Sequence, residues 1–95
     1  LARATADLVS AWYDADAARA KLVALDSVAL PAASSAAELA ATAYTAGEID
    51  LPAVLASRQE LADVRVERVQ ALIDAVNARA ALARAAGGDP HAPLF

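Results

Sequence analysis

The sequence predicts an all-α fold, a long antiparallel helical hairpin of the coiled-coil type. Three observations carry the prediction. Two long alanine-rich runs repeat apolar residues at intervals of three and four, the signature of an amphipathic helix. Between them lies one compact cluster of turn residues, Gly47, Asp50 and Pro52. Nowhere does the chain show an alternating Val/Ile/Thr run or an Asn-Gly hairpin, so nothing speaks for a strand.

The first helix is expected over residues 2–45. Leu8, Trp12, Ala15, Arg19, Leu22, Leu25 or Asp26, and Ala29 form its stripe, widened by Val9, Tyr13, Val23 and Leu30. Pro31 removes one backbone donor and biases Leu30 away from the helical region. Either two helices meet there with a break, with Ser34 and Ser35 as caps of the restart, or one long helix kinks. The strong helical character of residues 32–44, without a glycine, favours the kinked continuous helix.

The turn is expected over residues 46–51. Gly47 supplies a left-handed helix stop, Asp50 an N-cap, and Pro52 falls in a first helical turn, where proline is tolerated. The second helix then spans about 52–86. Leu51, Val54, Leu55, Leu61, Val64, Val69, Leu72, Val76, Ala80 and Ala83 lie along one broad face, with Val66 and Ile73 off the strictest seam. Gly87, Gly88, Asp89 and Pro90 end that helix, and a tail over 87–95 follows. At a rise of ~1.5 Å per residue the helices would run roughly 65 and 50 Å. That length is characteristic of coiled coils rather than of small globular domains.

Composition narrows the function. Hydrophobic residues make up 59% of the 95 residues, and alanine supplies roughly half of them. Alanine forms helix readily but buries little area, so the hairpin's core should be thin and in need of partners. Net charge is −4, and no cluster of Lys or Arg forms a nucleic-acid face. Charges interrupt both runs, so no apolar stretch is expected to approach the ~20 residues of a membrane span. The chain lacks Met and starts inside a helical pattern, which suggests a piece of a longer protein.

At the turn the sequence resembles the C-terminal part of a TolC-like outer-membrane efflux protein, closest to the heavy-metal export branch. The resemblance rests on Leu30-Pro31-x-Ala33, on Ala43-Tyr44-x-Ala46-Gly47-Glu48-Ile49-x-Leu51, on Val54-Leu55-Ala56-Ser57-Arg58, and on the closing stretch from Ala81 to Gly88. It covers nearly the whole chain; the order and spacing of the pieces are more specific than any one of them. It implies a homotrimer with an outer-membrane β-barrel and a periplasmic α-helical tunnel. This segment would be a periplasmic hairpin whose tip meets an adaptor protein, with an inner-membrane pump as the energy source and small molecules or metal ions as cargo. The barrel strands would lie upstream of Leu1.

The resemblance also implies roles at the tip. Tyr44 matches a family tyrosine that can hydrogen-bond to a neighbouring hairpin and hold the entrance shut; its bland reading is a ring packed on its own hairpin, hydroxyl in water. Gly47 is structural first, and its bare backbone would also admit an adaptor helix closely. Glu48 is an exposed carboxylate available to an adaptor, and Asp50 is first a cap. The chain departs from the pattern in three places. Ala53 and Ala56 stand where some relatives place carboxylates around the entrance, and Ile49 stands where some place a gate arginine. Arg58 is expected to pair with Glu38 across the hairpin or with a neighbouring chain, at up to about 1 kcal/mol if exposed, with an adaptor contact as the alternative.

Other constellations read as structural. Asp14 and Asp16 do not share a helical face; Glu60, Asp63 and Glu67 do, beside Arg65 and Arg68, as a charge stripe. Trp12 and Tyr13 read as a packing anchor whose two rings point to different sides. His91 is the one histidine, and with no cysteine it has too few companions for a metal site. Serines on the helices have no histidine beside them, and Gly87-Gly88 follows a helix rather than opening one, so neither an enzyme nor a cofactor is expected. Two other function classes compete with the channel: the helical hairpin of a periplasmic adaptor, which β-rich segments would flank on both sides, and a scaffold four-helix dimer. Self-association of the isolated chain is expected in each case, because a hairpin leaves apolar surface uncovered.

Overall fold

The computed structural model describes residues 2–87; Leu1, the stop signals Gly88, Asp89 and Pro90, and the tail from His91 to Phe95 lie outside the described residues. Three α-helical segments follow in order: α1 (Ala2–Ala24), α2 (Leu30–Thr45) and α3 (Leu51–Ala85). A five-residue π turn, Leu25–Ala29, joins α1 to α2 without leaving the helical path. The described residues contain no strand, and the fold class is the all-α helical hairpin that the periodicity predicts.

The π turn answers the problem set by Pro31. A proline inside a helix lacks the N–H and crowds the carbonyl four residues back. Here the Leu30 N–H donates to the Leu25 carbonyl, five residues back, which opens the turn ahead of the pyrrolidine ring. Pro31 then falls in the first turn of α2, the position proline tolerates. The Ser27 hydroxyl donates to the Val23 carbonyl at 2.6 Å within the same stretch. Leu30 has φ −67° and ψ −48°, so it is helical, contrary to the bias expected before proline. The chain is thus neither broken at Pro31 nor capped afresh by Ser34 or Ser35.

The π turn also resets the buried face. Ahead of it, half-buried or buried residues recur at Ala11, Ala15, Ala18, Leu22 and Leu25, then Ala29. Continued unbroken, that spacing would next reach Ala32, Ala36 and Leu39. Instead Ala33 is buried, Ala37 and Ala40 are half-buried, and Leu39 is 70% exposed. A wide turn consumes one extra residue, and the seam moves one position along the sequence. This corrects the stripe expected for the first helix: Trp12 and Arg19 are exposed, and the smaller Ala11 and Ala18 take the inward positions.

Two compact units divide the chain. In one, Val23–Gln70, the second half of the first helical run lies against the first half of α3 around the tip. Its core is Leu25, Ala33 and Val54. In the other, α1 up to Leu22 and α3 from Ala71 on belong together, with Ala71 the buried residue. Burying a leucine or valine fully stabilises by about 1.5–3 kcal/mol, whereas an alanine contributes one methyl group. Both cores are therefore thin. Fifteen large apolar side chains stand exposed among the described residues, so much apolar surface remains uncovered.

On α3 the inward face is narrower than the broad face expected. Val54, Leu61 and Val64 turn inward, but Leu51, Leu55, Val69, Leu72 and Val76 are exposed. A further correction concerns apolar length. The 44-residue run Ala2–Thr45 is by length and composition long and apolar enough to cross a membrane, with mean hydropathy 1.3 over 18 residues. Charges are dense up to Asp26, but Glu38 is the sole charge from there to Thr45. Alanine rather than large side chains raises the mean.

Candidate functional site

The tip is built from backbone hydrogen bonds. α2 ends at Thr45, Ala46 keeps helical angles (φ −79°, ψ −5°), and Gly47 turns left-handed at φ +78°. The Glu48 N–H donates to the Ala43 carbonyl at 2.8 Å and the Gly47 N–H to the Tyr44 carbonyl at 3.0 Å. These two bonds are the pair of the Schellman motif, which satisfies carbonyls that a helix end otherwise leaves without donors. Thr42 and Thr45 hydroxyls add bonds to the carbonyls of Glu38 and Ala41. An ideal Cβ on Gly47 would meet nothing within 4 Å. Conformation, not space, is what requires glycine there.

Three residues later the chain re-enters a helix. The Ala53 N–H donates to Asp50 Oδ1 at 3.3 Å and the Val54 N–H to the Asp50 carbonyl at 3.4 Å, so Asp50 is the N-cap that its position predicts. Pro52 stands in the first turn of α3, where its missing N–H has no intrahelical acceptor in any case. Ile49 is half-buried; Glu48 is exposed, and Tyr44 is 46% exposed. The tip is therefore a fixed reversal, residues 46–50, that offers bare backbone, one free-standing carboxylate and one aromatic edge.

Behind the tip, Arg58 does not pair with Glu38. Both line an open groove of about 450 Å³ with Ser34, Ala41, Leu61 and Arg65, beyond ion-pair distance of each other. The cross-hairpin ion pair forms instead between Arg68 Nε and Asp26 Oδ1. Arg68 is half-buried on the inward line of α3, and the π turn carries Asp26 opposite it. The hydrogen bond from Arg68 to Asp26, with the attraction of the carboxylate, raises the guanidinium above its ordinary pKa. Sequence reasoning singled out Arg58 and Glu38 and missed this pair, although Asp26 and Arg68 lie equally far from Gly47 along the two arms. Gln59 Nε2 donates to Asp63 Oδ1 at 2.9 Å, one turn apart within the charge stripe.

No family model, curated protein or solved structure matches the chain. The site's own geometry thus stands alone beside the sequence resemblance. In the other unit, Trp12, Asp16, Arg19, Leu72, Val76 and Arg79 line a second open groove of about 450 Å³. Trp12 and Tyr13 do not diverge as expected: their ring centroids lie 5.1 Å apart at 81°, an edge-to-face contact. Trp12 lines the groove, and Tyr13, which does not, is 63% exposed.

Proposed function

We propose that the chain is a periplasmic hairpin of a TolC-like outer-membrane efflux channel, in which α1–α3 form tunnel wall and the tip at Gly47 docks an adaptor. The observation that carries the reading is an imbalance. Among the described residues four hydrophobic ones are buried, while fifteen large ones are exposed on helices closed by a rigid tip. A hairpin of that kind completes its core with helices from elsewhere, as the wall of a helical tunnel does. The resemblance around Leu30-Pro31 and Gly47-Glu48-Ile49 gives the assembly its identity. In this reading Tyr44, Glu48 and Ile49 meet the adaptor or a neighbouring hairpin, Gly47 and Asp50 fix the tip, and Arg58 stands free for an acidic neighbour. The mechanism is passive, and the pump supplies the energy.

The test is Gly47→Trp in the full-length protein, with Gly47→Ala as control. Both share the backbone strain, but the tryptophan adds bulk at the docking surface. Export is expected to be lost with Gly47→Trp while trimers persist, and to survive Gly47→Ala. Wild-type export from the tryptophan variant would remove the tip from the mechanism.

A further inference from the structure

Two rows of charge flank α3 near the tip, of opposite sign and on opposite surfaces of the hairpin. We propose that copies of this chain stand side by side and parallel, with Arg58 and Arg65 of one against Glu60 and Glu67 of the next. All four residues lie in one compact unit, Val23–Gln70. In that unit the inward line of α3 is Val54, Ser57, Leu61, Val64 and Arg68, each buried or half-buried. At 3.6 residues per turn, Arg58 and Arg65 fall roughly a quarter turn to one side of that line, and Glu60 and Glu67 roughly a quarter turn to the other. The groove behind the tip agrees with this division: both arginines line it, and neither glutamate does. All four side chains are exposed. Among the described residues none of them forms an ion pair, unlike Arg68 with Asp26.

Charge and spacing choose the occupant. The members of each row are seven residues apart, about 10.5 Å along the helix axis. One setting of two parallel copies therefore brings Arg58 to Glu60 and Arg65 to Glu67 together, each offset by two residues, about 3 Å. A slip of one heptad keeps only one of the two pairs. On the arginine side the groove holds two guanidiniums against the single carboxylate of Glu38, so an excess of positive charge faces the neighbour. Ser34, Ala37 and Ala41 line the same groove with short side chains, which leaves room for the incoming glutamates. A two-fold pair is isologous and would set arginine row against arginine row, or glutamate row against glutamate row. Matching unlike rows is a head-to-tail contact, which makes a ring when its rotation closes. The homotrimer of the channel reading is one such ring. The uncovered apolar surface drives association, and the charge rows select which surfaces meet. This inference goes beyond the channel reading by naming the lateral contact, and it does not rest on it.

The test is sedimentation of the 95-residue chain at micromolar concentration and low salt. The wild-type chain is expected to associate, and less so as salt rises. Arg58→Glu with Arg65→Glu makes both surfaces acidic, and Glu60→Arg with Glu67→Arg makes both basic. Each double variant alone should associate at least about tenfold more weakly than the wild type, with helicity unchanged. An equal mixture of the two should recover association, between unlike copies. All four substitutions in one chain exchange the rows and should recover it as well. A monomeric wild-type chain, double variants that associate like the wild type, or a mixture no stronger than its parts would each overturn the proposal. Should a double variant lose helicity, the four-substitution chain decides: association like the wild type upholds the matched rows, and its loss overturns them. Failure here leaves the export experiment untouched, since that reads the tip and this reads the flanks of α3.

Discussion

Replacing Gly47 by Asn, Ala and Val tests the physical basis of the tip. Gly47 sits at φ +78°, a left-handed conformation that costs an L-residue about 1–2 kcal/mol. Nothing lies within 4 Å of an added Cβ, so no steric term joins the conformational one. The cost should therefore follow tolerance of left-handed backbone rather than size. Asn, which visits that region most readily, is expected to lose a few tenths of a kcal/mol. Ala should lose about 1 kcal/mol, and Val more, through its branched Cβ. The assay is urea unfolding followed by helicity, with all variants at one concentration, since association shifts apparent stability. Equal stability of glycine and valine would show that the chain does not reverse through Gly47. An Asn variant as damaged as the Val variant would show that crowding, not backbone angle, sets the requirement.

Two further perturbations probe the helices. Leu25→Ala removes one of the few large buried side chains and is expected to cost about 2 kcal/mol or more, whereas Leu39→Ala, at 70% exposure, should change urea stability by less than about 0.5 kcal/mol. A reversed order would refute the seam shift at the π turn. A double-mutant cycle on Asp26→Asn and Arg68→Gln should return a small favourable coupling that fades as salt rises, because both side chains are partly exposed; a zero coupling at low salt would mean that the pair contributes nothing to folding.

Much of the tip is legible in the sequence, for a local reason. Gly47, Asp50 and Pro52 each act through their own backbone or the next turn, so spacing alone specifies the stop, the cap and the restart. The helical content is legible for the same reason. What the exposed tip residues touch outside this chain is a separate matter from how they fold. Arg58 and Glu38 show where local reasoning ends. Both reach one groove, yet whether they pair depends on side-chain reach across two helices, which no count along one helix supplies.

The inward faces are harder to read, because two periodicities overlap. Val54 is followed directly by Leu55, and both satisfy a helical repeat; only burial separates the first, at 4% exposure, from the second, at 54%. Read as one broad face, the pair implies a single wide seam. Separated, they are two narrow lines, the inner one covered by the hairpin and the outer one exposed. Alanine makes such a division workable, because small inward residues let the hairpin close without drawing the larger neighbours inward. On the first helical run the same division operates through Pro31. The residue that threatened the helix instead follows a π turn, and that turn hands the seam from Leu25 to Ala33 and leaves Leu39 outside. Most of the large apolar side chains thus stand outward on both arms, while Leu25 and Val54 are the large ones buried among the described residues.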